Sequence, residues 1–355
     1  ASSSVSRWLF LCVCMVALMV LVGGLTRLTE SGLSMVEWQP ATLLPPLTAP
    51  EWAAEFEKYQ TSPQYQQVNR HLDVEGFKQI FWLEYIHRLL GRCVGVIFLL
   101  PLLYFLARRM LTKPQTLKLA GIFLLGSAQG LIGWLMVKSG LQDQPWVSPV
   151  RLAMHLGMAF LLFALLLWQW LSFHKARPAA LKLPVRMLQA TAALLYVQIL
   201  LGALVAGMDA GLVFNTFPHM NGQYVPEGIW AMQPVWQNLV ENPTTAHAVH
   251  RYAALLVTGL ILWLASRLWQ TAHRKEAMLL ILILSVQVLL GALTVIHAVP
   301  ILLASLHQMV ALLLWAVMIY LLWHNQLQRR GLPLPLEAGL PLPEGALGLK
   351  PPLVP

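Results

Sequence analysis

Eight stretches of this chain are each long and apolar enough to cross a lipid bilayer, and that leaves few folds open. They lie near 8–26, 79–106, 117–137, 151–172, 187–207, 246–269, 277–297 and 301–323. A spanning helix needs about 20 mainly apolar residues. In lipid every backbone N–H and C=O must be satisfied, so runs of this length read as helices. Only 11% of the 355 residues are charged, well under the roughly 25% usual in soluble domains. The sequence therefore predicts an all-α polytopic membrane protein with eight transmembrane helices. Arg7 before the first run resembles an export signal, but no clear small-residue cleavage site follows, so that run is read as a helix.

The formal net charge is +9, yet its placement argues against a nucleic-acid partner. Arg7, Arg108, Arg109, Lys113, Lys118, Lys175, Arg177, Lys182, Arg186, Arg267, Arg274, Lys275, Arg329 and Arg330 all fall on one side of an eight-span threading. The long loops on the other side hold most of the acids, among them Glu30, Glu37, Glu51, Asp73, Asp209 and Glu241. The positive-inside rule then puts both termini in the cytoplasm, and a bacterial inner membrane is the expected location. Membrane lipid is thus one partner. Cys12, Cys14 and Cys93 all lie in apolar runs, so the outer loops offer no disulfide.

The odd-numbered spans end alike. Span three has Gln129-Gly-Leu-Ile-Gly133, span five Gln198-Ile-Leu-Leu-Gly202 and span seven Gln287-Val-Leu-Leu-Gly291, while span one ends Val22-Gly23-Gly24. Spans two and six share His87-Arg88 and His250-Arg251, and spans four and eight carry His155 and His307 a few residues in. Order, histidine position and charge side agree, which favours duplication over chance resemblance among Leu-rich helices. The expected architecture is two tandem four-helix bundles in parallel orientation with long extracytoplasmic loops. An N-terminal unit covers 1–173 and a C-terminal unit 174–326, with a disordered Pro/Leu/Gly-rich tail over 327–355. For any single glycine near the outer helix ends, plain packing outweighs cofactor contact. The outer loops 27–78 and 208–245 are long for connections, and their aromatics (Trp38, Trp52, Tyr59, Phe214, Phe217) argue for ordered caps.

Four intramembrane histidines need an explanation, because such a residue is costly in lipid unless it binds something or is paired. His87, His155, His250 and His307 sit on separate helices near one membrane face, as two pairs. Structural zinc gathers three or four ligands at short spacings, whereas one histidine per helix suits trans-axial ligation of heme iron. His71, His174, His219, His273, His297 and His324 fall in loops or at helix ends and read as solvated or interfacial. His247 and His297 are the hardest of the rest to dismiss as ligands. In span two, Glu84, His87, Arg88 and Gly91 share a face by i, i+3, i+4 spacing. A structural Glu84–Arg88 pair explains that face as well as chemistry does. The second unit keeps His250-Arg251 but has His247 where Glu84 stands. A carboxylate beside only one pair suggests a reaction in the first unit and a stable heme in the second.

The chain resembles the heme A synthase family, in the branch shared by mitochondria and many proteobacteria, from about Gly23 to the end of span eight. The motifs are Gly24-Leu-Thr26-Arg27-Leu-Thr-Glu-Ser31-Gly32-Leu-Ser34, Glu84-Tyr-Ile-His87-Arg88-Leu-Leu-Gly91-Arg92, Gln129-Gly130, Arg151-Leu-Ala-Met-His155, Asn215-Thr216-Phe217-Pro218 and His250-Arg251. The resemblance implies oxidation of a methyl group of heme O to a formyl group, giving heme A for cytochrome oxidase. The steps are successive hydroxylations, then loss of water from a gem-diol. It implies His250 and His307 as axial ligands of a resident heme B, and His87 and His155 as the pair flanking the substrate heme. Glu84 matches the essential carboxylate, as a proton shuttle or as a stabiliser of positive charge. Arg88 and Arg251 are candidate propionate contacts, with a helix-end anchor the equal alternative. Implied partners are a heme O synthase and an electron donor acting through the second heme, and self-association stays open. The cysteine pair of another branch is missing from the first outer loop. Two rivals remain: a non-catalytic diheme b-type electron carrier, and a heme-delivery or oxidase-assembly factor.

Overall fold

The computed structural model describes residues 2–37, 44–142, 144–173, 181 and 183–329. Trp38, His174, Lys175, Arg177, Lys182, Arg330 and the tail from 330 onward lie outside the described residues. Twelve α-helices follow one another: α1 (Ser2–Leu28), α2 (Ala49–Gln60), α3 (Pro63–Gln67), α4 (Val74–Ala107), α5 (Lys113–Gly140), α6 (Pro149–Ser172), α7 (Val185–Gly207), α8 (Ala210–Val213), α9 (Gln237–Glu241), α10 (Pro243–Trp269), α11 (Arg274–Ile296) and α12 (Ile301–Arg329). Eight of them, α1, α4, α5, α6, α7, α10, α11 and α12, are long and apolar enough to span a membrane. No strand occurs among the described residues. The expected all-α, eight-span fold is therefore present.

Local chemistry sets the helix starts. The Thr48 side chain accepts from Glu51 N while Glu51 reaches back to Thr48 N, a reciprocal cap that opens α2. Asp73 caps α4 by accepting from Gly76 N at 2.8 Å. Asn242 caps α10, with Pro243 at the first helical position, where no backbone N–H is needed. With its Asp73 cap, α4 begins five residues before the apolar run starting at 79, and that extension stands above the span. Against it pack Trp52, Phe56 and Tyr59 of α2, which meet Phe77, Phe81 and Tyr85 of α4 in a buried aromatic cluster. Helix α2 is thus packed firmly on the first turns of α4.

Helix contacts fall into two rings. One runs α1–α4–α5–α6 and back to α1; the other runs α7–α10–α11–α12 and back to α7. They meet where α6 packs on α7 and α12, and where α1 packs on α12. Gln308 Nε2 of α12 donates to Val20 O of α1 at 2.8 Å across that seam, and Arg27 at the end of α1 pairs with Asp209 after α7 at 2.6 Å.

The core is unevenly filled. Fully buried side chains such as Leu9, Phe160, Leu188, Ile261, Leu264, Leu268, Leu280 and Leu314 belong to one cluster. Most of them come from the basic-loop half of their helices, while Phe160 and Leu314 sit near the middle of theirs. In the other half burial lapses: no residue is buried between 86 and 97 of α4, 123 and 139 of α5, 249 and 256 of α10, or 285 and 296 of α11. Interiors normally close-pack. Here close packing lapses over those four stretches, although Tyr85, Ala153, Ala248 and Ser305, each two residues from a histidine, are buried.

Candidate functional site

The four histidines occupy equivalent places. Each is carried on an even-numbered span and its ring rests against a glycine of the span before it. A methyl group on Gly133, Gly202 or Gly291 would come 2.8, 3.0 or 2.9 Å from Cε1 of His155, His250 or His307. On Gly23 it would come 3.3 Å from His87 Nε2. These glycines let one corner of each imidazole come close to a neighbouring backbone. The sequence reading had assigned such residues to helix packing; what they pack against is the histidine itself.

His87 is carried on α4 and His155 on α6, helices that stand across the first ring from one another. His250 on α10 and His307 on α12 stand in the same relation in the second. Three glutamines one turn below the glycines reach the same places. Gln129 Nε2 donates to His155 O at 3.0 Å, and Gln198 Nε2 to His250 O at 2.9 Å. His307 Nδ1 donates to the main-chain carbonyl of Gln287 at 3.1 Å, and the Gln287 side-chain Nε2 lies 3.5 Å from its Nε2.

The outer loops dock beside these rings, and here the two halves differ. Glu84 is 2% exposed and accepts four hydrogen bonds. Ser34 Oγ donates at 2.6 Å and Met35 N at 2.8 Å to one oxygen. Arg88 Nε at 3.0 Å and Nη2 at 2.5 Å donate to the other. Arg88 also donates to Met35 O at 2.9 Å and Glu37 O at 3.3 Å. In the second half His247, 1% exposed, accepts from Arg251 Nε at 3.0 Å. Arg251 then donates to the carbonyls of Phe214 at 3.1 Å, Thr216 at 2.9 Å and His219 at 3.1 Å.

The repeat continues into these loops, which sequence matching missed. Seven residues after Gly23 and Gly202 come Glu30 and Asp209, both left-handed (φ 54° and 50°), each followed by a short helical turn over Ser31–Leu33 or Ala210–Val213. Five residues further on, Met35 and Phe214 give their carbonyls to Arg88 and Arg251. The visible signal was Glu30-Ser-Gly32-Leu against Asp209-Ala-Gly211-Leu. Both arginines expected at propionates are thus already engaged by loop carbonyls.

His273 and His324 depart from the sequence expectation. They are 3% and 1% exposed, not solvated, because α11 begins directly beneath the end of α12. His273 Nδ1 lies 3.2 Å from Glu276 and its ring 5.6 Å from that of His324. This group stands at the opposite end of α11 and α12 from Gly291 and His307. His71, His219 and His297 do fall in turns or at a helix end.

The donor set suits an iron porphyrin better than a bare ion. Among the described residues no group of three or more His, Cys, Asp or Glu is arranged to hold a metal ion. His155 Nδ1 and the amide oxygens of Gln129, Gln198 and Gln287 are buried without a hydrogen-bond partner, which is unusual for buried polar atoms. They lie where packing lapses. An open apolar groove of about 380 Å³ on the outside of α10 and α11, lined by Phe217, Thr258, Leu284, Val288 and Ala292, reaches the residue beside Gly291.

The sequence pattern of the COX15-CtaA cytochrome oxidase assembly protein family matches residues 6–319. The chain belongs to this family. Curated members of similar length are named heme A synthase. That of Nitrosospira multiformis is 44% identical over 92% of this chain and 94% of its own. Those of Wolbachia pipientis and Rhizobium meliloti are 40% and 47% identical, over 91% and 82% of this chain and 93% and 81% of their own. This COX15-CtaA member is a multi-pass membrane protein with its histidines at helix positions that the family pattern spans.

Proposed function

We propose that this chain is a heme A synthase: it oxidises a methyl group of heme O to a formyl group and releases heme A. The family supports the reaction, and one observation supports its location: of two otherwise matched histidine sites, only the first has a buried carboxylate, Glu84, clasped by Arg88, Ser34 and Met35. The two helix rings are two four-helix units, residues 1–173 and 174–326. Both histidine pairs and both caps face the extracytoplasmic side, and both termini the cytoplasm.

His250 and His307 would hold a resident heme B, beside Gln198 and Gln287 of the preceding span. His87 and His155 flank the substrate heme O. Iron supplies the oxidising reactivity and the second heme the electron path from a donor. The protein's part is to orient, shield and balance charge. Glu84 has all four lone-pair directions engaged, which suits a fixed negative charge beside a carbon turning positive more than a carrier that must take up protons. Arg88 holds Glu84 and ties residues 35–37 over the site. Arg251 and His247 tie the second loop in the same manner without supplying an anion.

Co-expression with a heme O source, followed by mass spectrometry of the extracted hemes, tests this reading. Conversion of heme O to heme A is the expected result. Two unchanged B hemes would make the protein an electron carrier instead, and a substoichiometric, exchangeable heme would make it a delivery factor.

A further inference from the structure

The two rings differ at one seam. Eight residues after His87 and His250 stand Gly95 on α4 and Thr258 on α10. Seven and three residues before Gly133 stand Gly126 and Gly130 on α5; before Gly291 the same places on α11 hold Leu284 and Val288. In the second unit Thr258, Leu284 and Val288 together line one apolar groove on the outside of α10 and α11, with Leu284 buried. The repeat puts Gly95, Gly126 and Gly130 at the matching seam of α4 with α5. Glycines on neighbouring spans usually mark close helix approach. These three do not, because a methyl group on any of them would meet no atom within 4 Å. The wall that three side chains build in the second unit is missing from the first.

The gap has edges. One turn further from the histidines, Phe98 of α4 stacks on Phe123 of α5, with ring centroids 6.1 Å apart and planes at 13°. Towards the outer face, Leu33 packs so closely that a methyl group on Gly140 of α5 would come 2.8 Å from it. Arg88 ties Met35 and Glu37 down beside the same ring. Between these limits the seam faces lipid, next to the exposed Leu124 and Leu131. A substrate heme must be replaced at every turnover, whereas a resident heme stays. We infer that the α4–α5 seam is the lateral gate through which heme O enters from the bilayer and heme A leaves, and that Gly95, Gly126 and Gly130 keep it open. This rests on the reading that the first ring holds the substrate heme, and it adds the route. Passage here keeps the isoprenoid chain of either heme in hydrocarbon throughout.

Full-length protein in lipid nanodiscs, carrying its resident heme, is mixed with phosphatidylcholine vesicles that contain heme O. No reductant is present, so no turnover occurs. Uptake is followed by heme absorbance, and release by the reverse transfer into empty vesicles. The second unit's wall is copied into the first by Gly95→Thr, Gly126→Leu and Gly130→Val together. Uptake and release should then both slow by the same factor, about tenfold or more, the scale of forcing packed side chains aside. The amount bound at equilibrium should not change, since a gate alters rates and not affinity. Heme B content by pyridine hemochrome should also hold. If the triple variant fails to fold or loses heme B, Gly126→Leu alone decides, with a smaller but equal slowing of both rates. Unaltered rates in the filled variants overturn the inference alone. So does weaker equilibrium binding with release still fast, which would place the added side chains against the bound heme. An unaltered chain that takes up no heme O overturns the proposed function and this inference with it.

Discussion

The two outer sites share a plan and differ in one residue. In each, an arginine next to the ring-bearing histidine gathers the carbonyls of a loop that leaves the preceding span through a left-handed acid. In the first site the residue one turn before that arginine is Glu84; in the second it is His247. The swap costs the scaffold little, because Arg88 and Arg251 have partners either way. It changes what the site offers a reacting group: the first keeps a buried anion, the second only neutral acceptors and a guanidinium. On the proposed reading, duplication yields two ligand sites, and Glu84 gives one of them chemistry.

The sharpest way to break this contrast is Glu84→Ala. Heme A formation should fall on the order of 100-fold or more, the scale set by deleting a preorganised charge from a reaction site, while resident heme B is retained. Normal heme A among the extracted hemes would refute the role. Next in size, His250→Ala or His307→Ala should deplete heme B more than His87→Ala does. Equal losses by pyridine hemochrome would erase the division of labour. A smaller effect is expected for Arg251→Leu, which strips the carbonyls of Phe214, Thr216 and His219 of their donor. Hydrogen bonds to charged groups contribute a net ~1.5–3 kcal/mol each. The second loop should become the first site of limited proteolysis, with the first loop still protected. The mildest test concerns the first cap. Burial pushes the Tyr59 hydroxyl up to about 12 from 10.0, against the opposing hydrogen bond from Asn69. The cap's stability should be whole below pH 10 and decline as pH rises towards 12. Tyr59→Phe should remove that decline in a thermal melt followed by tryptophan fluorescence.

Much of this was legible in the sequence, for identifiable reasons. Apolar runs of bilayer length admit few alternatives, so all eight spans could be placed before any coordinates. The Gln-x-x-x-Gly series marked the places where helices meet histidines, although residue identity alone could not say that the glycine faces an imidazole. Glu84–Arg88 was visible because i, i+4 spacing is local. The partners Ser34 and Met35, 50 and 49 residues away, were not. The loop repeat escaped because it is written in backbone carbonyls and left-handed φ angles, which leave little trace in side chains. His273 and His324 misled for a similar reason: chain-end position suggested water, and tertiary packing covered them.

The uneven core has a consequence for sidedness. The dense layer of Leu9, Phe160, Ile261, Leu264 and Leu314 is a dielectric floor beneath both histidine pairs. On the proposed topology it insulates the reaction from the cytoplasm. Protons consumed or released at the first site then exchange only with the extracytoplasmic compartment. A pH-sensitive dye trapped inside inverted vesicles would register turnover there, and the same dye in the outer medium would stay silent.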